Sequence, residues 1–143
     1  KDIENLTILT NSIEVIMQCI PYPNINVISL SGNLNRRTLS FTGTSASDVL
    51  GQYNISKSFL AATGISAISG ATNSSPTETD IKRTALLKSQ KSYLLVDHNK
   101  FDVVSLMTFS SFNNLDGIIT NKLPSSSLEE AIKSEGCEII LAD

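Results

Sequence analysis

The sequence predicts an α/β fold with a mostly parallel sheet and helices on both of its faces. Short apolar runs typical of buried strands alternate with helical patterns along almost the whole chain. Of the 143 residues, 41% are hydrophobic, which suits one domain with a substantial core. No internal repeat, low-complexity tract or interdomain linker interrupts the alternation.

The middle of the chain contains the clearest elements, which are a helix, a strand and a polar loop. Pro76 suits the first turn of the helix, and Ser75 with Glu78 three residues later fits a capping box. Residues 93–96 form an apolar run of the kind that parallel sheets bury. Residues 97–100 follow at the carboxyl end of that strand, where open α/β sheets bind ligands.

The first half of the chain shows the same alternation with weaker signals. Apolar runs and helical spacing predict strands at 6–9, 24–30 and 57–62, and helices at 13–20 and 45–53. Pro21 and Pro23 end the first helix. Polar or small residues predict loops at 31–37 and 63–75.

The last third of the chain predicts two more strands and a final helix. Residues 103–109 are apolar and fit either one strand or a helical turn followed by a strand. Strands are predicted at 117–120 and 138–142. The final helix, 128–134, follows a run of serines that can cap it, and Gly136 ends it.

Composition and charge argue against two classes of partner. Lysine and arginine total 11, they never form a long cluster, and the net charge is −3, so a basic nucleic-acid surface is not supported. No apolar run approaches the roughly 20 residues of a membrane span, and no signal-peptide pattern opens the chain. Cys19 and Cys137 are interpreted as two buried free thiols in a reducing, cytoplasmic setting.

Polar loops follow several of the predicted strands, and a parallel sheet gathers such loops at one edge. Their backbone N–H groups, their hydroxyls and the adjacent helix N-termini form a favourable anion cradle. Lys100, Arg36 and Lys82 can supply charge-assisted bonds to a phosphate. The pattern favours a small phosphorylated metabolite, although any α/β domain carries polar loops at its strand ends.

Catalytic and metal-binding patterns are missing from the sequence. His98 is the single histidine, and a lone loop histidine is more often a solvated surface residue than a general base. There is no nucleophile elbow, no nucleotide-binding glycine motif and no Cys/His metal spacing. We therefore expect no catalytic residues, no metal and no cofactor.

The second half of the chain contains three short motifs: an E-x-x-x-K-R helix at 78–83, a D-x-x-K-F loop at 97–101 and a strand end at 115–121 that closes with I-T-N. Together they resemble the carboxy-terminal effector-sensing domain of DeoR-family bacterial transcription regulators, in which the strand end has an ITD-type pattern. Upstream, the TNS turn at 10–12, the glycines at 32 and 43, and the stretches 59–66 and 70–72 fit the family in the same order. The resemblance covers roughly residues 6–121.

The resemblance implies a fold similar to ribose-5-phosphate isomerase and a phosphorylated sugar or related metabolite as effector. It implies a regulator, usually a repressor of sugar metabolism, whose DNA binding the effector modulates. DNA would be contacted only through an amino-terminal helix-turn-helix. We expect no membrane partner, and we expect the protein to be a homo-oligomer, a dimer or a tetramer. On this basis we expect residues 1–143 to form the effector-sensing domain and to lack the amino-terminal helix-turn-helix, the first strand and the phosphate loop.

The resemblance also implies a ligand site. The expected ligand-binding residues are Thr10, Asn11, Gly32, Gly43, Thr72, Glu78, Lys82, Asp97 and Lys100. Within this set, Lys100 is the main cation for the phosphate, Asp97 orients Lys100 or bonds a sugar hydroxyl, and the two glycines allow close approach of the backbone.

Two other functions stay open at this point. One is a sugar-phosphate isomerase or aminosugar-phosphate deaminase on the same fold. Thr63 and Ser66 argue against it, because they stand where the isomerase-like pattern has acidic residues that could abstract a proton. The other is a purely structural oligomerisation domain whose ligand site has decayed.

Overall fold

The computed structural model describes residues 5–142, which fall into two compact units that divide between Gln52 and Tyr53. Both units combine parallel strands with helices, so the predicted α/β class is confirmed. In the described range, no helix combines the length and the apolar character needed to cross a membrane.

The first unit contains two parallel strands, two helices and a small hairpin. Its elements are β1 (Leu6–Thr10), α1 (Ile13–Cys19), β2 (Ile25–Ser29), β3 (Asn33–Asn35), β4 (Ser40–Thr42) and α2 (Thr44–Leu50). Strands β1 and β2 pair in parallel, and β3 and β4 pair antiparallel. The amino end of α1 is capped by Ser12, whose hydroxyl accepts a hydrogen bond from the Val15 N–H.

The hairpin of β3 and β4 corrects the loop predicted at 31–37. Its turn is closed by Asn35, whose side-chain oxygen accepts hydrogen bonds from the N–H groups of Arg37 and Thr38. Such asparagine turns hold a chain reversal through a side chain. The polar composition that indicated a loop is therefore what builds the hairpin turn.

The second unit contains a four-stranded parallel sheet and a three-stranded antiparallel sheet. Its elements are β5 (Ile55–Leu60), β6 (Gly64–Ser66), β7 (Gly70–Asn73), α3 (Pro76–Lys88), β8 (Ser89–Leu95), β9 (Met107–Ser110), β10 (Gly117–Thr120), α4 (Ser126–Ser134) and β11 (Glu138–Leu141). The parallel sheet has the order β11-β10-β8-β5, and the antiparallel sheet has the order β6-β7-β9. Single 3-10 turns lie at His98–Lys100 and Phe112–Asn114.

Strands β6 and β7 correct the second predicted loop, at 63–75. Small residues indicated a loop because they have little strand propensity. Here they are required, since a Cβ added to Gly64 would lie 2.2 Å from the Val103 carbonyl oxygen. Only the end of the apolar region 103–109 belongs to a strand of this antiparallel sheet, because β9 begins at Met107.

The core of the second unit lies between one face of its parallel sheet and both of its helices. Leu94 and Ile118 are register partners on that face, and they belong to one buried cluster with Leu128 and Ile132 of α4. Leu86 of α3 packs against the same cluster. The remaining face carries more exposed apolar side chains, including the stacked rings of Phe59 and Tyr93.

The cap of α3 gives a direct test of the capping prediction. The Ser75 hydroxyl accepts a hydrogen bond from the Glu78 N–H at 3.3 Å. Replacing Ser75 with alanine should lower the free energy of unfolding by about 1 kcal/mol, which urea denaturation measures. Ser125→Ala is the matched control, because Ser125 occupies the N-cap of α4 without making a side-chain cap bond. An equal loss in both variants would contradict the role of the Ser75 hydroxyl.

Candidate functional site

In the first unit, Asn11 and Gly32 both lie against strand β4. The Asn11 side chain donates a hydrogen bond to the Phe41 carbonyl oxygen at 3.0 Å, and the Phe41 N–H donates to the Asn11 carbonyl oxygen at 2.9 Å. Gly32 has φ +155°, and a Cβ there would lie 2.4 Å from the Thr42 carbonyl oxygen. Only glycine permits that approach, so β4 packs directly on the loop after β2.

Thr10 and Gly43 complete the predicted residues of the first unit. The Thr10 hydroxyl accepts a hydrogen bond from the Ser12 N–H at 3.1 Å, which holds the turn between β1 and α1. Gly43 is the N-cap of α2 with φ +124°, and nothing lies within 4 Å of the position where a Cβ would be. Gly43 directly follows β4, so three of the four residues, Asn11, Gly32 and Gly43, adjoin that short strand.

In the second unit, the predicted residue Lys82 forms part of a polar cluster at the carboxyl end of β5. Its ammonium group donates to the Ala61 carbonyl oxygen at 2.6 Å and to the Asn73 side-chain oxygen at 2.9 Å. The Thr63 hydroxyl donates to the same Asn73 oxygen, and the Asn73 amide donates to a Glu78 carboxylate oxygen at 3.5 Å. We refer to Thr63, Asn73, Glu78 and Lys82 as the Lys82 cluster.

The environment of Lys82 is only partly solvated. Its ammonium group lies 5.2 Å from the centre of the buried Phe109 ring. Burial lowers the pKa of Lys82 from 10.5 to about 8, and the negative charge of Glu78 partly opposes this shift. The lysine therefore has a cationic and a neutral form within an accessible range of pH.

This shift predicts a pH dependence of stability. Between about pH 8 and about pH 10.5, Lys82 binds more protons in the unfolded chain than in the folded one. Its contribution to the free energy of unfolding should therefore rise with pH across that window. Urea denaturation at several pH values measures the slope, which Lys82→Met should reduce while Lys88→Met on the same helix leaves it unchanged. A wild-type slope in Lys82→Met would contradict the prediction.

Asp97 is the N-cap of the 3-10 turn His98–Lys100, and together they form what we call the 97–100 turn, at the carboxyl end of β8. The Asp97 carboxylate accepts a hydrogen bond from the Asn99 N–H at 2.8 Å, and the Asp97 carbonyl oxygen accepts one from the Lys100 N–H. Asp97 thus orders the backbone of the 97–100 turn. Within residues 5–142, its carboxylate is not ion-paired with Lys100, whose side chain is half-buried.

The 97–100 turn and the Lys82 cluster lie on the same edge of the parallel sheet. Strands β5 and β8 are neighbours with Leu60 opposite Leu94, so their carboxyl ends meet at this edge. A shallow open depression of about 310 Å³ extends along it, past the ends of β8, β10 and β11. It is lined by Leu95, Val96, Asp97, Ile119, Thr120, Asn121 and Ala142.

Thr72, the remaining predicted residue, is fully buried. Its hydroxyl donates to the Gly64 carbonyl oxygen at 3.2 Å and accepts from the Ser105 N–H at 2.9 Å. Both bonding roles of the hydroxyl are therefore used in joining β7 to β6 and to the segment before β9. Thr72 shapes the region behind the Lys82 cluster without presenting its side chain to solvent.

The sequence interpretation missed two polar residues of this edge, Asn73 and Asn121. Asn73 lies in a run of small residues that was interpreted as a loop. Its side chain is at the centre of the Lys82 cluster, and the residue is only 3% exposed. A buried amide needs partners, so an asparagine two residues before a helix cap was a usable signal. Asn121 follows β10 and bonds His98 through both its amide oxygen and its amide nitrogen.

The thiols and the acidic residues of the described region offer no metal site. Among residues 5–142, no three His, Cys, Asp or Glu side chains come together as a possible ligand set. Both cysteines are free; Cys137 is buried, whereas Cys19, expected to be buried, is half-exposed on the short helix α1. Burial, with smaller effects from Asp116, Glu135 and Glu138, raises the pKa of Cys137 to about 12.

The family assignment agrees with this geometry. Residues 1–122 match the family model described as the DeoR C terminal sensor domain. The chain therefore belongs to this family of sensor domains, as the motifs at 78–83, 97–101 and 115–121 imply.

Curated relatives of this chain are named as HTH-type transcriptional regulators or repressors. The chain is 40% identical over 119 residues to the HTH-type transcriptional regulator IolR of Bacillus subtilis (strain 168), covering 83% of this chain and 47% of IolR. It is 24% identical over 138 residues to the regulator GolR of Listeria innocua (96% and 54% covered). It is 25% identical over 137 residues to the repressor GlcR of B. subtilis (96% and 53%). The chain thus spans about half the length of these relatives.

Proposed function

We propose that this sensor domain binds a phosphorylated sugar or a related metabolite and so modulates DNA binding by the full-length regulator, most simply as a repressor of sugar metabolism. The observation that carries the proposal is the half-buried Lys100, which has no ion-pair partner among residues 5–142 and lies at the carboxyl edge of a parallel sheet. Open α/β sheets bind ligands at that edge, and a dianionic phosphate satisfies such a cation.

Each unit contains some of the proposed ligand-binding residues, and we propose their roles unit by unit. Lys100 and Lys82 supply positive charge, and Glu78 and Asp97 offer acceptors for sugar hydroxyls. In the first unit, Thr10 and Asn11 offer polar contacts, while Gly32 and Gly43 allow close backbone approach. Thr72 contributes by holding β7 against β6, because its hydroxyl is occupied.

We propose no catalytic role for this domain and no cofactor. Thr63 and Ser66 carry hydroxyls where a proton-abstracting enzyme of this fold would need a carboxylate. The Thr63 hydroxyl is already bonded to Asn73, and the Ser66 hydroxyl accepts from the Ser69 N–H. This distinguishes the sensor from the isomerase or deaminase alternative, which requires a base at this edge.

The coupling to DNA follows from linkage. An effector changes DNA binding only through different affinities for the DNA-competent and incompetent arrangements of the regulator. We propose that DNA is contacted through an amino-terminal helix-turn-helix and that the regulator is a homo-oligomer, a dimer or a tetramer.

Thermal unfolding against a panel of pentose and hexose phosphates tests the proposal, with the unphosphorylated sugars as controls. A ligand present at about 100 times its dissociation constant adds roughly 2.7 kcal/mol to the free energy of unfolding. We expect at least one sugar phosphate to stabilise the domain and its parent sugar to have no effect. A turnover assay on that compound should show no product, and product formation would favour the enzyme. A flat panel would favour a purely structural domain.

A further inference from the structure

We propose that Asn121 is a positioning residue that holds the 97–100 turn, and with it Lys100, by clamping His98 in one neutral tautomer. The inference rests on the proposed function only for the role of Lys100. It is carried by hydrogen bonds between the ends of two neighbouring parallel strands, β8 and β10.

The clamp consists of two hydrogen bonds from one side chain. The Asn121 side-chain oxygen accepts from the His98 backbone N–H at 2.8 Å. The Asn121 amide nitrogen lies 2.9 Å from the His98 Nδ1. Asn121 therefore forms hydrogen bonds with both the main chain and the ring of His98, the first residue of the 3-10 turn.

The orientation of the Asn121 amide follows from its other partners. A backbone N–H can only donate, so the atom facing the His98 N–H is the oxygen. The Thr120 hydroxyl donates to the same oxygen at 3.5 Å. The nitrogen must then face the ring, where it donates to Nδ1, and the ring proton is left on Nε2.

The turn has few other restraints at this end. Asp97 caps it through Asn99, and the Phe101 N–H donates to the His98 carbonyl oxygen at 3.3 Å. After the turn, Phe101 pairs with Ile65 in an isolated bridge. Asn121 thus joins the start of the turn to β10, while Phe101 anchors its end. Lys100 lies between these two points.

An aspartate in place of Asn121 would reverse the chemistry at the ring. A carboxylate accepts from the His98 backbone N–H as the amide does, but it accepts from a protonated Nδ1 and cannot donate to it. Asn121→Asp therefore keeps the hydrogen bond from the His98 backbone N–H and moves the ring proton to Nδ1. Asn121→Ala removes both bonds.

Nitrogen NMR of the ligand-free protein tests the clamp without any effector. His98 is the single histidine of the chain, so a histidine-labelled sample has one imidazole signal. At mildly alkaline pH, where an ordinary imidazole is neutral, we expect the wild type to carry its proton on Nε2 and Asn121→Asp to shift it to Nδ1. A wild-type ring protonated on Nδ1, or identical signals in both proteins, would overturn the clamp.

Binding measurements test the positioning role, with inorganic phosphate and the most stabilising sugar phosphate as probes. Asn121→Ala should bind both about three- to tenfold more weakly, a change in binding free energy of the size of one ordinary hydrogen bond. Asn113→Ala, in the other 3-10 turn of this unit, should bind as the wild type does. Unchanged binding by Asn121→Ala would refute the positioning role. If the wild type binds neither probe, the proposed function and the role of Lys100 both fail, and the nitrogen spectra still decide whether the clamp exists.

Discussion

Replacing Lys100 with alanine should weaken the binding of a phosphorylated sugar by about 10- to 100-fold. Lys100 is half-buried, and within the described residues it has no carboxylate partner, so a bound phosphate would be its main counter-ion. Charge-assisted hydrogen bonds contribute roughly 1.5–3 kcal/mol, which corresponds to this loss of affinity. Titration calorimetry of the wild type and of Lys100→Ala with the same sugar phosphate measures the difference.

Lys133→Ala is the matched control because it removes the same charge from an exposed site. Lys133 forms an ion pair with Glu129 on α4 at 2.8 Å, away from the carboxyl edge of the sheet. Its loss should leave the affinity unchanged within about twofold, since exposed charges are screened by salt. Equal affinity of wild type and Lys100→Ala would remove Lys100 from the site.

Replacing Phe112 with alanine should lower the free energy of unfolding by about 3–5 kcal/mol, the usual cost of truncating a buried phenylalanine. The side chain is 1% exposed and is the largest of those that are fully buried. It belongs to the core cluster that joins the parallel sheet to α4, so its loss leaves a cavity that the neighbouring side chains cannot readily fill. Urea denaturation followed by circular dichroism measures the change.

Phe59→Ala provides the comparison for the same substitution outside the core. Phe59 is 55% exposed and keeps a stacking contact with Tyr93, whose ring centre is 5.6 Å away. An aromatic pair of this kind contributes about 0.5–1.5 kcal/mol, so the loss should be far smaller than for Phe112. Similar losses in the two variants would contradict the assignment of the core to the buried cluster that contains Phe112.

The strands and helices with strong apolar patterns were predictable from the sequence. The run at 93–96 and the cap at Ser75 are local signals, and they are found in β8 and α3. The hairpins that lie within 33–42 and 64–73 were not predicted, because their short strands consist largely of polar and small residues that a local pattern assigns to loops. Gly64, for example, forms a strand where a second segment approaches its backbone too closely for any side chain.

The positions of Asp97 and Lys100 in the fold were predictable from the sequence, but the hydrogen bonds around them were not. Asp97 and Lys100 do follow strand β8 at the carboxyl edge of a parallel sheet. The pattern could not indicate that Asp97 caps its own turn or that the Thr72 hydroxyl is buried, because both depend on atoms brought together by folding. Asn73 was missed for the same reason, since its importance comes from the three side chains around it.

The two cysteines give each unit of the protein its own chemical reporter. Only a thiolate reacts readily with alkylating reagents, and the buried Cys137, with its pKa raised to about 12, is almost never in that form while the second unit stays closed. The labelling rate of Cys137 therefore measures how often the second unit opens. The labelling rate of the half-exposed Cys19 reports on the first unit. An effector that tightens only one unit would slow the labelling of one cysteine and leave the other unchanged.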